Sequence, residues 1–480
     1  MNRRKVFNVV GRINILNSLL LLIPIIVSVI YKESSTFSFL GASVLSLLFG
    51  LLLTAFTKTK NNLIYAKEGF AIVVLTWLTM SVFGALPFWF SGEIPSFVDA
   101  FFETVSGFTT TGATILTDVE NMSRGLLFWR SFTHWIGGMG VLVFVMAFLP
   151  NVSDRSIHIL RAEMPGPTMD KLVPKSKDTA KILYLMYIFL TVVEVLLLLC
   201  GRMPLFDSII HAFGTAGTGG FGIKADSIAG YNSYLQWVIT VFMFLFGINF
   251  NLYYLLILKR IKYVFKSSEL WVYTGIVLVS IGIITVDILS MTNGFFEALR
   301  LSAFQVSSVI TTTGFSTTDF NLWPTLSKSI LLVLMFIGAC AGSTGGGLKV
   351  SRVIMLFKLI GKEIKQMIHP RAVSSMRFEG KDIDEKTQRN VAVYFVVYMF
   401  CFFSIFLLIS FEPFGFETNF TAVAACFNNI GPGFGVVGPM GGFAPFSDFS
   451  TFVLSIAMLL GRLEIFPMLI AISPSVWMKK

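Results

Sequence analysis

Charge is scarce in this sequence. Only 13% of its 480 residues are Asp, Glu, Lys or Arg, about half the share of an average soluble domain. With 55% hydrophobic residues and a mean hydropathy of +0.77, that scarcity excludes an ordinary water-soluble chain, so lipid has to be treated as part of the solvent. Cysteine is scarce too. Cys200, Cys340, Cys401 and Cys426 lie in or beside apolar runs without a CxxC pair, which excludes a disulfide frame or thiolate metal site and reads as small core residues. His134 and His211 each stand alone, and no HExxH, GxSxG or Walker pattern occurs. An intramembrane enzyme therefore has no visible catalytic set. A small-x-small cleavage site is also missing. The N-terminal MNRRK and its apolar run imitate a signal peptide, but the run ends in the bulky Val29-Ile30-Tyr31-Lys32 and reads as an uncleaved first span.

What is present is a series of apolar segments. Crossing about 30 Å of hydrocarbon takes about 20 helical residues. Ten segments meet that length: 13–31, 37–56, 70–90, 124–149, 182–200, 233–258, 270–291, 325–348, 390–411 and 449–473. An even number puts both termini on one side of the membrane. With Met1 inside, the inner connections and tails carry 29 of the 37 Lys and Arg residues, and the outer connections carry only Lys32, Arg202, Lys224 and Arg300. That asymmetry fixes the termini as cytoplasmic. It also accounts for the net charge of +10 as membrane topology, without nucleic acid as a partner.

Four uncharged, glycine-bearing stretches recur: FTTTGAT (108–114), TGGFG (218–222), TTTGFST (311–317) and NIGPGFG (429–435). All fall in outer connections. Each follows a segment too short to span, at 96–108, 205–216, 295–310 and 417–428. Irregular backbone at membrane depth survives only where protein or water covers it. Four copies of span, short re-entrant helix, glycine loop and span provide that cover by surrounding one axis. The expected fold is thus an all-α polytopic membrane protein with four channel-like pseudo-repeats and two extra N-terminal spans. Glycine lets the backbone turn carbonyls inward, a carbonyl ring can replace a monovalent cation's water shell, and the negative C-terminal ends of the short helices favour a cation at the same point. Divalent ions usually take carboxylate ligands, which the loop tips lack. Potassium and sodium stay undecided by this argument.

With RSFTHWIGGMG (130–140) and GRLEIFP (461–467), the four loops make the chain resemble the Trk/Ktr/HKT superfamily of potassium transporters, and its extra spans make it most similar to the bacterial Trk potassium-uptake membrane subunit. The resemblance implies pore repeats at 70–150, 182–258, 270–357 and 390–473 behind two additional helices in 1–69. It implies potassium as substrate, with no covalently bound cofactor, taken up across the bacterial inner membrane. The implied filter residues are Thr110, Thr111 and Gly112; Thr218, Gly219 and Gly220; Thr312, Thr313 and Gly314; and Asn429, Ile430 and Gly431. The fourth loop departs from the threonine-rich pattern, which leaves its hydroxyl contacts open. The implied partners are a second copy of the chain, as a homodimer, and a cytosolic Rossmann-type, TrkA-like nucleotide-binding regulatory subunit.

Two further stretches bear on gating. GACAGSTGGG (338–347) holds five glycines, each costing about 1 kcal/mol against Ala inside a helix, so the eighth span is expected to unwind there. Family resemblance makes Gly338, Gly342, Ser343, Thr344, Gly345, Gly346 and Gly347 an intramembrane gate; a tight helix crossing is the alternative. Arg462 lies within the last span, where a charge needs water or a partner. It either points into the pore toward carbonyls freed by the 338–347 loop, as the family pattern implies, or pairs with Glu464 or a lipid headgroup. Arg130 is expected to be structural, in an ion pair or carbonyl clamp, and Glu194 and Asp287 to be polar contacts in the bundle. The 349–389 segment, with ten cations and five acids, is the expected docking surface for a cytosolic regulator. Against the pore stands a proton- or sodium-coupled carrier working by alternating access, for which two inverted repeats and helices broken at the midplane would speak.

Overall fold

The computed structural model describes residues 1–58, 65–140, 176–371 and 375–477. Helix dominates it, and one hairpin, Met376–Phe378 paired antiparallel with Lys381–Ile383, supplies the strands. Six helices have the length and composition to cross a membrane: Arg3–Ile30, Ser35–Phe56, Lys67–Ser91, Lys181–Cys200, Ser268–Asp287 and Glu385–Ile409. The fourth expected span begins as Arg124–Gly138. Its continuation to 149, and most of the connection that follows, lie outside the described residues.

The first two long helices form a hairpin apart from the repeats. Gly11 and Gly50 bring them into backbone contact, since a Cβ at Gly50 would lie 2.7 Å from the Gly11 carbonyl oxygen. Ser43 and Ser46 donate across the seam to the carbonyls of Ser18 and Asn14 at 2.9 Å each. Small residues and hydroxyls are how helices associate in a solvent as apolar as their own side chains. At its turn the hairpin presents Glu33, whose carboxylate accepts from the amides of Arg124 and Gly125 at 2.7 and 3.0 Å. An acid there satisfies the orphan donors of a helix start, so the hairpin is fastened to the first repeat.

Each of four repeats then runs outer helix, short helix, loop, inner helix. The short helices are Phe97–Phe108, Leu205–Gly217, Phe295–Ile310 and Phe416–Phe427, within a residue of the amphipathic segments read from the sequence. The inner helices differ from expectation. Instead of unbroken spans at 233–258 and 449–473, Ser233–Phe246 bends by 90° into Phe250–Ile257 and Asp448–Arg462 bends by 117° into Ile465–Ile472, whereas Thr325–Ile337 gives way to irregular backbone before Val350–Ile368, as the five glycines of 338–347 lead one to expect. Close approach explains the glycine beside the last of these breaks along the chain and one near the end of the described part of the first inner helix. A Cβ at Gly137 would sit 1.9 Å from the Phe108 carbonyl oxygen, and one at Gly461 would sit 2.0 Å from that of Phe427. The first and fourth inner helices thus abut the ends of short helices, and the fourth turns aside there.

The segment after residue 349 is largely regular. Nineteen residues of it continue as helix Val350–Ile368, followed by the small hairpin. Among the cysteines, Cys340 and Cys426 are buried as expected, Cys401 is half-buried, and Cys200 is exposed at a helix end.

Candidate functional site: a ring of four loops over a glycine-rich plug

All four short helices end in the same way. The amides of Thr111, Gly219, Thr313 and Ile430 bond back to the carbonyls of Ser106, Gly214, Ser308 and Ala425 at 2.8–2.9 Å, and the preceding amides of Thr110, Thr218, Thr312 and Asn429 bond to Gly107, Thr215, Val309 and Cys426. This is a Schellman closure, which requires a left-handed residue just past the helix. Glycine usually fills that position. Here it holds Thr110, Thr218, Thr312 and Asn429, at φ 55°, 55°, 59° and 56°. A β-branched residue there is strained, and strain of this kind persists only where the surroundings over-determine it. Two residues on, Gly112, Gly220, Gly314 and Gly431 again have positive φ, at 80°, 73°, 85° and 100°.

The glycines close the loops into a ring. A Cβ at Gly112 would lie 2.0 Å from the carbonyl oxygen of Gly219; at Gly220, 2.0 Å from that of Thr313; at Gly314, 2.0 Å from that of Ile430; and at Gly431, 2.8 Å from that of Thr111. Each loop therefore lays the carbonyl before its own glycine against the glycine of the previous loop, and the fourth returns to the first. The twelve residues expected at the filter are brought together here. In the fourth loop an amide replaces a hydroxyl: Asn429 Nδ2 donates to Thr111 Oγ1 and to the Met458 carbonyl, both at 2.9 Å, and Asn428 Oδ1 accepts from Tyr398 at 2.6 Å.

On one side of the ring opens a cavity of about 150 Å³, lined by all four glycines together with Thr114, Phe221 and Lys224. Arg130 at its edge is a clamp. It pairs with the buried Glu103 at 2.5 Å, donates to the Gly222 carbonyl at 3.0 Å, and rests 3.6 Å from the centre of the Phe221 ring. This agrees with the structural role read from the sequence. Asp287 makes the expected bundle contact, accepting from the Ser327 hydroxyl at 2.6 Å, and Glu194 is fully buried in its helix.

The glycine-rich segment covers the other side. Helix ends at Ile337, and Gly338 and Gly347 pack against each other at a neck where a Cβ on Gly338 would be 3.1 Å from the Gly347 Cα. At the tip, the Gly346 amide donates to Thr312 Oγ1 at 2.6 Å. A Cβ at Gly346 would meet the Asn428 carbonyl oxygen at 2.4 Å, and one at Gly345 the Thr311 oxygen at 2.8 Å. So the tip touches the third and fourth loops directly. Bonds from Cys340 to the Gly247 carbonyl (3.1 Å) and from Phe250 to the Gly342 carbonyl (3.0 Å) fasten it to the break in the second inner helix. Beneath it lies a cavity of about 30 Å³ lined by residues that include Gly138, Gly345, Lys349 and Arg462.

Arg462 donates to the Thr344 carbonyl at 2.8 Å and to those of Gly137 and Gly138 at 2.6 and 2.7 Å. It joins the plug to the end of the first inner helix. The alternative partner read from the sequence, Glu464, is taken by Arg352 in a pair at 2.5 Å. The bend after Arg462 separates the two side chains' directions, with Glu464 itself at φ 60°.

Several residues here escaped the sequence reading. Lys349 is buried and donates to the Gly345 carbonyl. Glu269 Oε1 accepts from the amides of Ala341 and Ser351 at 2.7 and 3.1 Å, holding both ends of the plug with one oxygen. Glu379, in the turn of the small β-hairpin, accepts from Ser268 Oγ and the Glu269 amide at 2.9 Å each. The available signal was an acid in the first turn of an apolar helix, common enough as a cap to point nowhere in particular.

With this geometry in place, comparison with known proteins is informative. The family model TrkH, described as a cation transport protein, matches residues 35–479. The Trk system potassium uptake protein TrkH of Salmonella typhimurium is 37% identical over 484 residues, covering 99% of this chain and 100% of that protein. TrkG of Escherichia coli K12, also a Trk system potassium uptake protein, is 36% identical over 99% of this chain and 98% of its own length. The crystal structure of the potassium transporter TrkH from Vibrio parahaemolyticus superposes with a TM-score of 0.89 at 31% identity, with full coverage of both chains.

Proposed function

The chain belongs to the TrkH family of cation transport proteins, and on that premise we propose that it takes up potassium across the bacterial inner membrane through one fourfold pseudosymmetric pore. The observation carrying this reading is the closed succession of glycine–carbonyl contacts from Gly112 through Gly220, Gly314 and Gly431. Carbonyls so arranged, at the C-terminal ends of four converging helices, present negative dipole ends to a bare cation. The ligands are the backbone of residues 110–112, 218–220, 312–314 and 429–431, and the larger cavity is the outer vestibule.

The segment 338–347 and Arg462 form the gate. Contact of Gly346 with Thr312 blocks the inner end of the ring, and a guanidinium just beneath repels a cation leaving the filter. The chain acts as a homodimer with both termini in the cytoplasm, and a cytosolic nucleotide-binding regulator docks on the segment after residue 349, which is covalently continuous with the plug. A membrane potential supplies ~2.3 kcal/mol per charge per 100 mV, enough to concentrate a monovalent cation roughly 50-fold, so uphill accumulation needs no coupled proton.

The breaks in the inner helices resemble a feature of carriers, but they lie beside the plug, under the ring, and the loops follow fourfold rather than two-part order. Potassium flux into proteoliposomes under a set diffusion potential, with and without a pH gradient, is the test. Flux that follows the potassium gradient alone, with sodium excluded, supports the pore. Strict dependence on a proton or sodium gradient would replace it with a carrier.

A further inference from the structure

The second loop lacks the side chains that brace two of its neighbours. In the first loop Thr109 Oγ1 bonds to Thr111 Oγ1 at 2.8 Å, and in the third Thr311 Oγ1 bonds to Thr313 Oγ1 at 2.8 Å. In each case one residue flanks the left-handed threonine on either side, and their hydroxyls tie the flanks together. The corresponding residues of the second loop are Gly217 and Gly219. With Gly220 and Gly222 this becomes the loop with the least intrinsic stiffness, because glycine has the most backbone freedom to lose. Yet Thr218 and Gly220 hold the same left-handed geometry as their counterparts. Something outside the loop has to enforce it.

His134 is placed to do so. A Cβ at Gly217 would lie 2.4 Å from the His134 carbonyl oxygen, and one at Gly219 would lie 2.1 Å from Nδ1 and 2.4 Å from Cε1 of its ring. Neither glycine has the positive φ that would itself require glycine, so contact with residue 134 is what excludes a side chain, through its backbone carbonyl at Gly217 and through its imidazole at Gly219. The imidazole is fully buried and stacks on Phe221, the residue after Gly220, at 4.1 Å between centres and 17° between planes. Arg130, one helical turn earlier on the same face, lies 3.6 Å from the same Phe221 ring. The first inner helix thus grips the second loop through two residues four apart.

We propose that His134 is a selectivity-positioning residue: its imidazole fills, from the neighbouring repeat, the place beside Gly219 that a threonine side chain takes in the first and third loops, and with its carbonyl against Gly217 it holds the glycine-rich second loop in filter geometry. This deepens the filter reading and rests on it. His134 touches no ion; it acts through Gly217, Gly219 and Phe221.

A double-mutant cycle tests the inference on the full-length protein, read by potassium-over-sodium flux in proteoliposomes and by thermal unfolding in detergent. His134→Ala is expected to lower the selectivity ratio about tenfold, and Gly219→Ala to lower it at least as much and to lower the melting temperature. The combined variant, with room for the new methyl group, is expected to recover both readouts toward the parent. Additive damage in the melting temperature overturns the steric claim, and unchanged selectivity in His134→Ala overturns the selectivity role. Should Gly219→Ala not fold alone, the comparison of His134→Ala with the double variant still decides: a double variant that melts below the single one refutes the exchange of volume. Recovery of the melting temperature with no change of selectivity in any variant overturns the selectivity role and the filter reading together, whereas the steric arm reads the same whichever ion passes.

Discussion

Replacing Gly314 with alanine would place a methyl group 2.0 Å from the Ile430 carbonyl oxygen, at a residue whose φ is 85°. Ordinary contact needs about 3.4 Å or more between such atoms, so that junction of the ring has to open by more than 1 Å. An L-residue in the left-handed region adds about 1–2 kcal/mol of local cost. Both effects act on the carbonyls proposed to hold the ion. Discrimination between two cations is a difference of affinities, and each 1.4 kcal/mol lost from it is tenfold. The expected result is a potassium-over-sodium ratio at least tenfold lower. Gly112→Ala and Gly220→Ala should match it, having the same 2.0 Å approach, and Gly431→Ala should be the mildest of the four because its nearest carbonyl, that of Thr111, is 2.8 Å away. Gly275 and Gly282 provide controls, since a Cβ there meets nothing within 4 Å. Flux of each ion into proteoliposomes, with the amount of folded protein set by size-exclusion chromatography, gives the ranking. Equal selectivity in Gly314→Ala and Gly282→Ala would refute the reasoning, as would a ranking with Gly431 the most damaging.

Other expectations concern the plug and what holds it. Arg462→Ala, or deletion within 342–346, should raise potassium flux in the absence of any partner, and flux no greater than the parent's from both folded variants would remove the plug from the gate. Glu269→Ala takes away the acceptor shared by the Ala341 and Ser351 amides, and an unpaired buried donor costs about 1–3 kcal/mol. Higher basal flux with a lower melting temperature should follow, with Glu269→Gln much milder because it keeps an acceptor oxygen; identical behaviour of the two variants would mean that the hydrogen bonds are immaterial. Neutralising Lys362, Lys365 and Arg371 together should weaken docking of the cytosolic regulator and flatten its salt dependence, since exposed cations act through screened attraction. Co-purification at two ionic strengths checks this, and unchanged docking would move the contact to another surface.

The elements that were legible in the sequence are those whose cause is local. Short helices before Gly112, Gly220, Gly314 and Gly431 showed through length and amphipathicity, and the loops showed through repetition, because a left-handed turn at a helix end writes itself into three or four adjacent residues. Unwinding at 338–347 showed for the same reason: five glycines within ten residues disfavour a helix wherever they fall. The bends near Gly247 and Gly461 did not show. A single glycine in an apolar run is common in membrane helices, and these matter only because a neighbouring element, such as the Phe427 carbonyl behind Gly461, comes too close for a side chain.

The same distinction explains the polar groups. Arg462 was conspicuous because a charge in a span demands a partner, and one of its partners, the Thr344 carbonyl, belongs to the 338–347 loop expected to supply it; the carbonyls of Gly137 and Gly138, more than 300 residues away, are backbone atoms that no side-chain pattern announces. Glu464, two positions off in sequence and the alternative partner, is bound to Arg352. Gly219 makes the point most sharply. In the sequence it is an irregularity, a glycine where two sister loops have threonine. In the fold it is the trace left by the imidazole of another repeat. A repeat protein that has diverged in this way keeps its ring by moving bracing atoms from the loop itself to the helix beside it, so departures from the repeat pattern mark where neighbouring quarters have come to depend on one another.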